Sequence, residues 1–168
     1  CAGTVSVCRE AWDADSKSLL ALLEEKAIED ISVSELCDNA GVGRASFYRN
    51  FNSKEDILKA HINKLFHQWK SGWEKDNSLP LSSGIGMIFE HFEQHSAFYT
   101  LLNKRHLIYL LKDVILDTFE LKPDLPKAEA YAKAFVAYSL YGWIEVWFQR
   151  GMQESPEEMK LLFQNQGL

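Results

Sequence analysis

Several kinds of site are missing from this sequence of 168 residues. Its three cysteines are Cys1, Cys8 and Cys37, an odd number without the paired spacing of a disulfide framework or a zinc site. We therefore expect Cys37 to be an ordinary buried side chain, and we expect no metal and no cofactor. No apolar run reaches the roughly 18 residues that a transmembrane helix needs, and no secretory signal is visible. The sequence thus predicts a cytoplasmic protein without a membrane span.

Positive charge is also scarce, because 18 Lys and Arg face 24 Asp and Glu, a formal net charge of −6. The balance is local, however. Residues 1–60 carry seven basic and eleven acidic side chains, whereas residues 40–60 carry four basic and two acidic ones. Charges more than about 8–10 Å apart are largely screened at physiological salt. An acidic total therefore does not exclude an anion-binding site within residues 40–60.

Strand-like alternation is missing too, and apolar residues recur with a period near 3.6 almost throughout. This pattern predicts an all-α fold. We expect a first helix over about Asp15–Ile28 and a long helix from the cap at Ser53 to about Asp76. Later helices are expected over about 82–95, 98–121 and 127–150, and after Ser155. The polar residues 77–84, with a proline and a glycine, predict a break in the chain.

The most informative pattern begins at Ser32, which forms a capping box with Glu35 and so predicts the start of a short helix. Gly41 ends that helix, since glycine readily takes the left-handed conformation. A third helix follows near Arg44 and turns Phe47 inward. Two short helices joined by a tight glycine turn indicate a helix-turn-helix, whose second helix enters the major groove of DNA.

The residues of that second helix suit contact with DNA. Arg44, at its start, can reach a guanine edge or a phosphate, and the hydroxyl of Tyr48 can donate to phosphate. Lys54, in the first turn of the next helix, is expected to hold a phosphate together with free backbone N–H groups. Ala45, Ser46, Arg49 and Asn50 complete the predicted contact face.

The segment VSELCDNAGVGRASFYRNFNSKEDIL, residues 33–58, resembles the DNA-binding region of TetR-family transcriptional regulators. The resemblance implies all-helical homodimers with an N-terminal DNA-binding module and a C-terminal domain that usually binds a small molecule. By position, the family's DNA contacts fall on Ser32, Arg44, Ser46, Tyr48 and Lys54. Residues 141–159 resemble the C-terminal domain of one Gram-positive-type branch.

The sequence departs from the family pattern at two places. Glycine stands at Gly43, where the family most often has serine or threonine to cap the reading helix. The approach to the first helix, residues 9–17, is acidic where relatives are rich in lysine and arginine. We therefore expect fewer accessory phosphate contacts and weak non-specific binding.

The predicted helix over residues 127–150 is apolar nearly all round, so we expect it to be buried on several sides, partly in a dimer interface. The predicted interface residues are Val136, Leu140, Trp147, Met159 and Phe163. An apolar cavity for an effector is predicted from a set of aromatic residues: Tyr99, Tyr109, Phe119, Tyr138, Tyr141 and Trp143. The same rings can equally fill the core. We expect His91 and His95, four residues apart, to be ordinary, partly exposed side chains.

Together these features predict two domains, a helix-turn-helix domain at residues 9–60 and a C-terminal effector-binding and dimerisation domain at 61–168. The predicted function is a homodimeric repressor that binds a palindromic operator in double-stranded DNA and responds to a small apolar or aromatic effector. The alternative is an adaptor or coactivator of the same fold whose C-terminal domain binds a protein. No nucleophile–base pair or phosphate-binding loop is visible, so we do not expect an enzyme.

Overall fold

The computed structural model describes residues 2–73 and 81–165, with side chains described from residue 14 onward except at 73, 81–83 and 85. Within these ranges all regular secondary structure is helical, as the sequence predicts. The chain divides into two compact units, Cys1–His61 and Ile62–Leu168. No helix among the described residues is long and apolar enough to cross a membrane.

The first unit contains three helices and the start of a fourth. They are α1 (Ala2–Glu25), α2 (Val33–Ala40), α3 (Arg44–Asn50) and α4 (Lys54–Trp73), with a 3-10 turn at Ile28–Asp30 between α1 and α2. The predicted first helix was wrong at both ends, since α1 begins at Ala2 and stops at Glu25. It stops there because Ala27 is extended, with φ −69° and ψ 156°, which places Ile28 in the 3-10 turn instead.

The core of this unit is formed by one apolar face from each of its elements. Nine of its fully or almost fully buried side chains are Leu19, Leu23, Ile28, Ile31, Leu36, Cys37, Phe47, Ile57 and Leu58. Burial of each large apolar side chain stabilises the fold by about 1.5–3 kcal/mol relative to leaving it exposed. The predicted burial of Cys37 is confirmed, and desolvation raises the pKa of its thiol.

Two polar side chains of α1 are buried beside this apolar core. Ser16 Oγ lies 3.1 Å from Nδ1 of His61 on α4, within hydrogen-bond distance. Asp15 Oδ1 forms no hydrogen bond with a residue that the structure describes, and burial raises the pKa of this carboxyl. Because the protonated form is favoured in the folded state, the Asp15 contribution to stability is greatest at acid pH and declines as the pH rises.

The second unit contains the end of α4 and five further helices: α5 (Leu81–Gln94), α6 (Ser96–Lys104), α7 (Leu110–Thr118), α8 (Lys127–Gln149) and α9 (Pro156–Asn165). The predicted break falls partly on residues 74–80, which lie outside the described residues. Gly84, which was expected in that break, instead lies inside α5. Gly86 of α5 allows close packing with α9, since an added Cβ would lie 3.2 Å from the Lys160 side chain.

Helix α9 begins after Ser155, as the sequence predicts, and Ser155 and Glu158 form a capping box there. The backbone N–H of Ser155 donates to Glu158 Oε2 at 2.7 Å, and the N–H of Glu158 lies 3.3 Å from Ser155 Oγ. At the C-terminal end of the preceding helix, Gly151 has φ 77° and terminates α8. Both ends of the α8–α9 connection are therefore determined by local sequence.

Aromatic rings dominate the core of the second unit. Phe66, Phe89, Phe92, Tyr99, Trp147 and Phe148 are buried and pack edge-on or tilted against one another. His91 is buried among them, contrary to the expectation of a partly exposed side chain, and its Nε2 lies 3.0 Å from the Tyr99 hydroxyl. Desolvation, with a smaller effect from the neighbouring His95, lowers the pKa of His91 to about 4.

Candidate nucleic-acid interface

The turn between α2 and α3 is fixed by backbone hydrogen bonds. Gly41 takes the left-handed conformation with φ 68°, as the sequence predicts. This allows the N–H of Val42 to donate to the carbonyl of Cys37 at 3.0 Å, the bond that closes a Schellman motif. Gly43 then returns to an extended conformation and starts α3. Three residues therefore suffice to redirect the chain from one helix to the next.

Helix α3 is held in place by its aromatic side chains. It has only seven residues, and its N-cap, Gly43, has no side chain to bond the first amides. Isolated helices of this length are not stable in water. Phe47 is fully buried and Phe51 nearly so, with ring centroids 5.8 Å apart. The burial of these two rings determines which face of α3 points to solvent.

The outward face of α3 carries the residue types predicted to read DNA. Arg44, Ala45, Arg49 and Asn50 are exposed, and Tyr48 is 54% exposed with its ring edge-on to Phe47 at 5.1 Å. Neither Arg44 nor Arg49 forms an ion pair with any residue that the structure describes. Both guanidinium groups are therefore available to a phosphate or a guanine edge.

Two predicted contact residues also have roles inside the α3 helix. Ser46 is half-buried, and its backbone carbonyl accepts a hydrogen bond from Asn50 Nδ2 at 3.1 Å. The amide N–H₂ of Asn50 is therefore partly committed to its own helix. Asn50 is accordingly a weaker candidate for donating to a base than the sequence alone indicates.

Ser32 caps α2 as predicted, since its Oγ accepts a hydrogen bond from the N–H of Glu35 at 3.1 Å. In a full capping box, the Glu35 carboxylate would accept from the N–H of Ser32. The Glu35 carboxylate pairs with Lys26 Nζ, and this hydrogen bond holds the pKa of Glu35 below its usual value. The exposed hydroxyl of Ser32 still has its proton to donate to a phosphate.

Lys54, the first residue of α4, is placed differently from the sequence expectation. Its Nζ donates to the backbone carbonyls of Ile28 and Ile31, and the side chain is half-buried. An ammonium group has three donors, so at most one N–H is left for a phosphate. The nearby capping box is complete, because Asp56 Oδ2 accepts from the N–H of Ser53 at 3.0 Å and the N–H of Asp56 lies 3.3 Å from Ser53 Oγ. Asp56 Oδ2 also accepts from the N–H of Asn52 at 2.9 Å.

The residues predicted to line one effector cavity are not brought together. Tyr99 is fully buried in the aromatic core, whereas Tyr109 and Tyr138 are exposed. Phe119 and Trp143 line two different cavities, and Tyr141 is half-buried and lines none of those described. The prediction of a single aromatic cavity was therefore wrong, since residues spread along four segments were grouped by side-chain type alone.

Most of the predicted dimer-interface residues belong to the core of the chain itself. Leu140, Trp147, Met159 and Phe163 are buried within the second unit, and Val136 is half-buried. Their burial leaves these four side chains little surface to offer a partner copy. The large apolar side chains that do face solvent on α8 and α9 are Tyr131, Phe135, Tyr138, Val146, Leu161 and Leu162.

A groove of about 720 Å³ between α8 and α9 adjoins those exposed side chains. Its lining includes Gly142, Trp143, Val146, Met159 and Leu162. Gly142 and Val146 continue the helical spacing of Tyr131, Phe135 and Tyr138, so they share one face of α8. The groove is therefore part of the same apolar surface, which we call the α8–α9 face.

Two short helices, a three-residue turn and an outward polar helix face define a helix-turn-helix protein. Comparison with known families agrees with this assignment. Residues 17–61 match the bacterial regulatory proteins of the tetR family, and residues 81–165 match a transcriptional regulator C-terminal region. The chain belongs to the TetR family of transcriptional regulators.

Individual relatives are similar over part of their length. The HTH-type transcriptional regulator EthR of Mycolicibacterium smegmatis is 35% identical over 100 residues, which are 53% of this chain and 46% of that protein. EthR of Mycobacterium tuberculosis is 32% identical over 84 residues, or 45% of this chain and 39% of that one. The matches thus span less than half the length of these curated relatives.

The structural likeness extends over most of the chain. A TetR transcriptional regulator from Streptococcus agalactiae superimposes with a TM-score of 0.59 over 93% of this chain and 92% of its own, at 20% identity. At that identity the likeness supports the fold of both units.

The two turn glycines give a matched pair of substitutions. At Gly43, with φ −77°, an added Cβ meets no atom within 4 Å, so Gly43→Ser should keep or slightly raise the melting temperature by adding a helix cap. Gly41→Ser should lower the melting temperature by about 2–4 °C, since the positive φ costs an L-residue roughly 1 kcal/mol. Thermal unfolding followed by circular dichroism measures both, and an equal loss in the two variants would contradict the turn geometry.

Proposed function

We propose that the protein is a homodimeric repressor that binds a palindromic operator through α3 and is released by a small effector bound in its C-terminal unit. The observation that carries this proposal is the outward face of α3, where Arg44, Tyr48 and Arg49 are exposed and the two guanidinium groups have no acidic partner among the described residues. A regulator of this kind acts where the DNA is, so we also infer a cytoplasmic location.

The acidity of the chain is compatible with this proposal, because two of the acids near α3 are engaged within the protein. The Asp56 carboxylate accepts hydrogen bonds from two backbone amides, and that of Glu35 pairs with Lys26. Such bonds reduce the negative potential that these groups project into solvent. Arg44 and Arg49 therefore face DNA without a competing carboxylate nearby on the same helix.

Selection of binding sites from a random pool of duplex DNA tests the proposal. We expect the purified protein to enrich a palindrome whose half-site centres are about one helical turn apart, since a two-fold dimer places two α3 helices in successive major grooves. Arg44→Ala and Tyr48→Ala should each weaken binding to the enriched site by about 10-fold or more, because each removes an exposed donor from α3.

The matched control is Lys104→Ala, which removes an exposed cation from the second unit and should leave affinity unchanged. Enrichment of no palindrome would contradict operator binding. If no site is enriched and a protein ligand binds the C-terminal unit tightly instead, the chain is an adaptor and not a repressor.

We propose that a second copy of the chain covers the α8–α9 face. Tyr131, Phe135 and Tyr138 lie at helical spacing and are exposed by 71%, 56% and 47%. Contiguous apolar surface of this kind marks protein interfaces in soluble proteins. The groove beside it is concave, so an aromatic side chain of a partner copy can enter it, and a two-fold arrangement lets each copy do so.

Phe135→Glu tests the dimer. We expect it to raise the dimer dissociation constant by more than about 10-fold, since a buried aromatic at the centre of an interface typically contributes 2 kcal/mol or more. Sedimentation across a concentration series measures this. Tyr109→Glu is the control, because Tyr109 is similarly exposed, at 54%, but lies just before α7. A monomeric wild-type protein, or equal behaviour of both variants, would rule out the proposed interface.

For the effector we propose a cavity of about 230 Å³ beside the C-terminal half of α4. Its lining combines the rings of Trp69 and Phe119 with Lys70, Thr118, Glu120 and Lys133. The two rings suit a small aromatic compound. Lys133 Nζ lies 3.0 Å from the Glu129 carboxylate, and an acidic group on the compound would replace this pairing. Because α4 also forms part of the first unit, a ligand that shifts this helix can alter the DNA-binding module.

A panel of small aromatic acids, each paired with its neutral analogue, tests this site. We expect at least one acid to release the protein from the selected DNA while its neutral analogue does not. Lys133→Met should weaken that response several-fold, since it removes a cation at the cavity. Release by acid and neutral compound alike, or an unchanged response of Lys133→Met, would place the effector elsewhere.

A further inference from the structure

We propose that Lys54 is a positioning residue that holds the N-terminus of α2 in place for DNA, and that it does not itself bind a phosphate. This inference rests on the proposed DNA-binding function. Lys54 is the first residue of α4, where the helix dipole places partial positive charge, so a cation there is disfavoured unless something offsets it.

The offset comes from two backbone carbonyls of the segment between α1 and α2. Lys54 Nζ donates to the oxygens of Ile28 and Ile31, which begin and follow the 3-10 turn. The same Ile28 oxygen also accepts the N–H of Ile31 at 3.2 Å, so it is shared between the turn and the ammonium group. The ammonium group is therefore stabilised by the partial negative charges of two backbone oxygens within the protein.

The location of these carbonyls connects Lys54 to the DNA-binding surface. Ile31 immediately precedes Ser32, the N-cap of α2, and both Ile28 and Ile31 are anchored by fully buried side chains. Hydrogen bonds to a charged donor are stronger than neutral ones. Lys54 thus fixes the peptide that sets the direction of α2 and the position of the exposed Ser32 hydroxyl.

A direct phosphate contact by Lys54 would change the salt dependence of DNA binding. A phosphate on Lys54 would compete with two carbonyls for a half-buried ammonium group, and its binding would release counterions. Each lost phosphate contact lowers the magnitude of the slope of log K against log salt by about 0.9, or about 1.8 for a two-fold dimer. A residue that acts through Ser32 leaves this slope unchanged while it alters the affinity.

The test compares Lys54→Met and Lys54→Arg with the wild type on the selected DNA site, well below the melting temperature and at several salt concentrations. We expect Lys54→Met to weaken binding by about 10-fold with an unchanged salt slope. Lys54→Arg should restore much of the affinity, because a guanidinium can donate to two carbonyls. Arg49→Met is the control for a phosphate contact and should reduce the slope.

A reduced slope in Lys54→Met would overturn the proposal in favour of a phosphate contact. An unchanged affinity, with only a lower melting temperature, would overturn it in favour of a purely structural role. A wild-type protein that binds no DNA would instead refute the proposed function.

Amide hydrogen exchange of the free protein provides a second test of the positioning role, and it requires no DNA. Lys54→Met should speed exchange at the N–H groups of Glu35 and Leu36, which bond to Ser32, more than at those of Phe47 and Phe51. Equal acceleration at both pairs would mean that Lys54 contributes only global stability, and the positioning role would be rejected.

Discussion

Burial of Phe47 is the constraint on which the DNA-reading surface depends. Helix α3 is too short to be stable alone and has no side-chain cap, so its place and rotation come from the Phe47 ring in the core and Phe51 beside it. Once Phe47 points inward, Tyr48 and Arg49 must point outward. The left-handed turn at Gly41 then places α3 directly after α2, and the two helices form the helix-turn-helix.

Several charged side chains around α3 are bound by groups of the first unit. Asp56 is used by the cap of α4, Lys54 by carbonyls before α2, and Glu35 by Lys26. Each of these groups has partners within the first unit, whereas the guanidinium groups of α3 are exposed and form no ion pair with a described residue. A chain with an excess of acidic residues can in this way present a small basic surface. That surface attracts phosphate only within the screening length of the surrounding salt.

What the sequence could predict depends on how far apart the interacting residues lie. The caps at Ser32, Ser53 and Ser155 and the turn at Gly41 involve neighbours within a few positions, and the structure confirms all four. The bonds of Lys54 join residues 23 and 26 positions apart, and no local pattern indicates them. The prediction of which side of α8 packs within the chain failed for a similar reason. A helix apolar all round does not specify which face meets the rest of its chain, so Leu140 and Trp147 were assigned to a partner although they are core residues.

The salt dependence of affinity for the selected DNA site tests the central claim most directly, because it counts the cations that meet phosphate. If two arginines per subunit make the contacts, log K should fall linearly against log salt with a slope of about −4, a loss of roughly 200-fold between about 50 and 200 mM. An affinity that stays flat over this range would contradict DNA binding through Arg44 and Arg49.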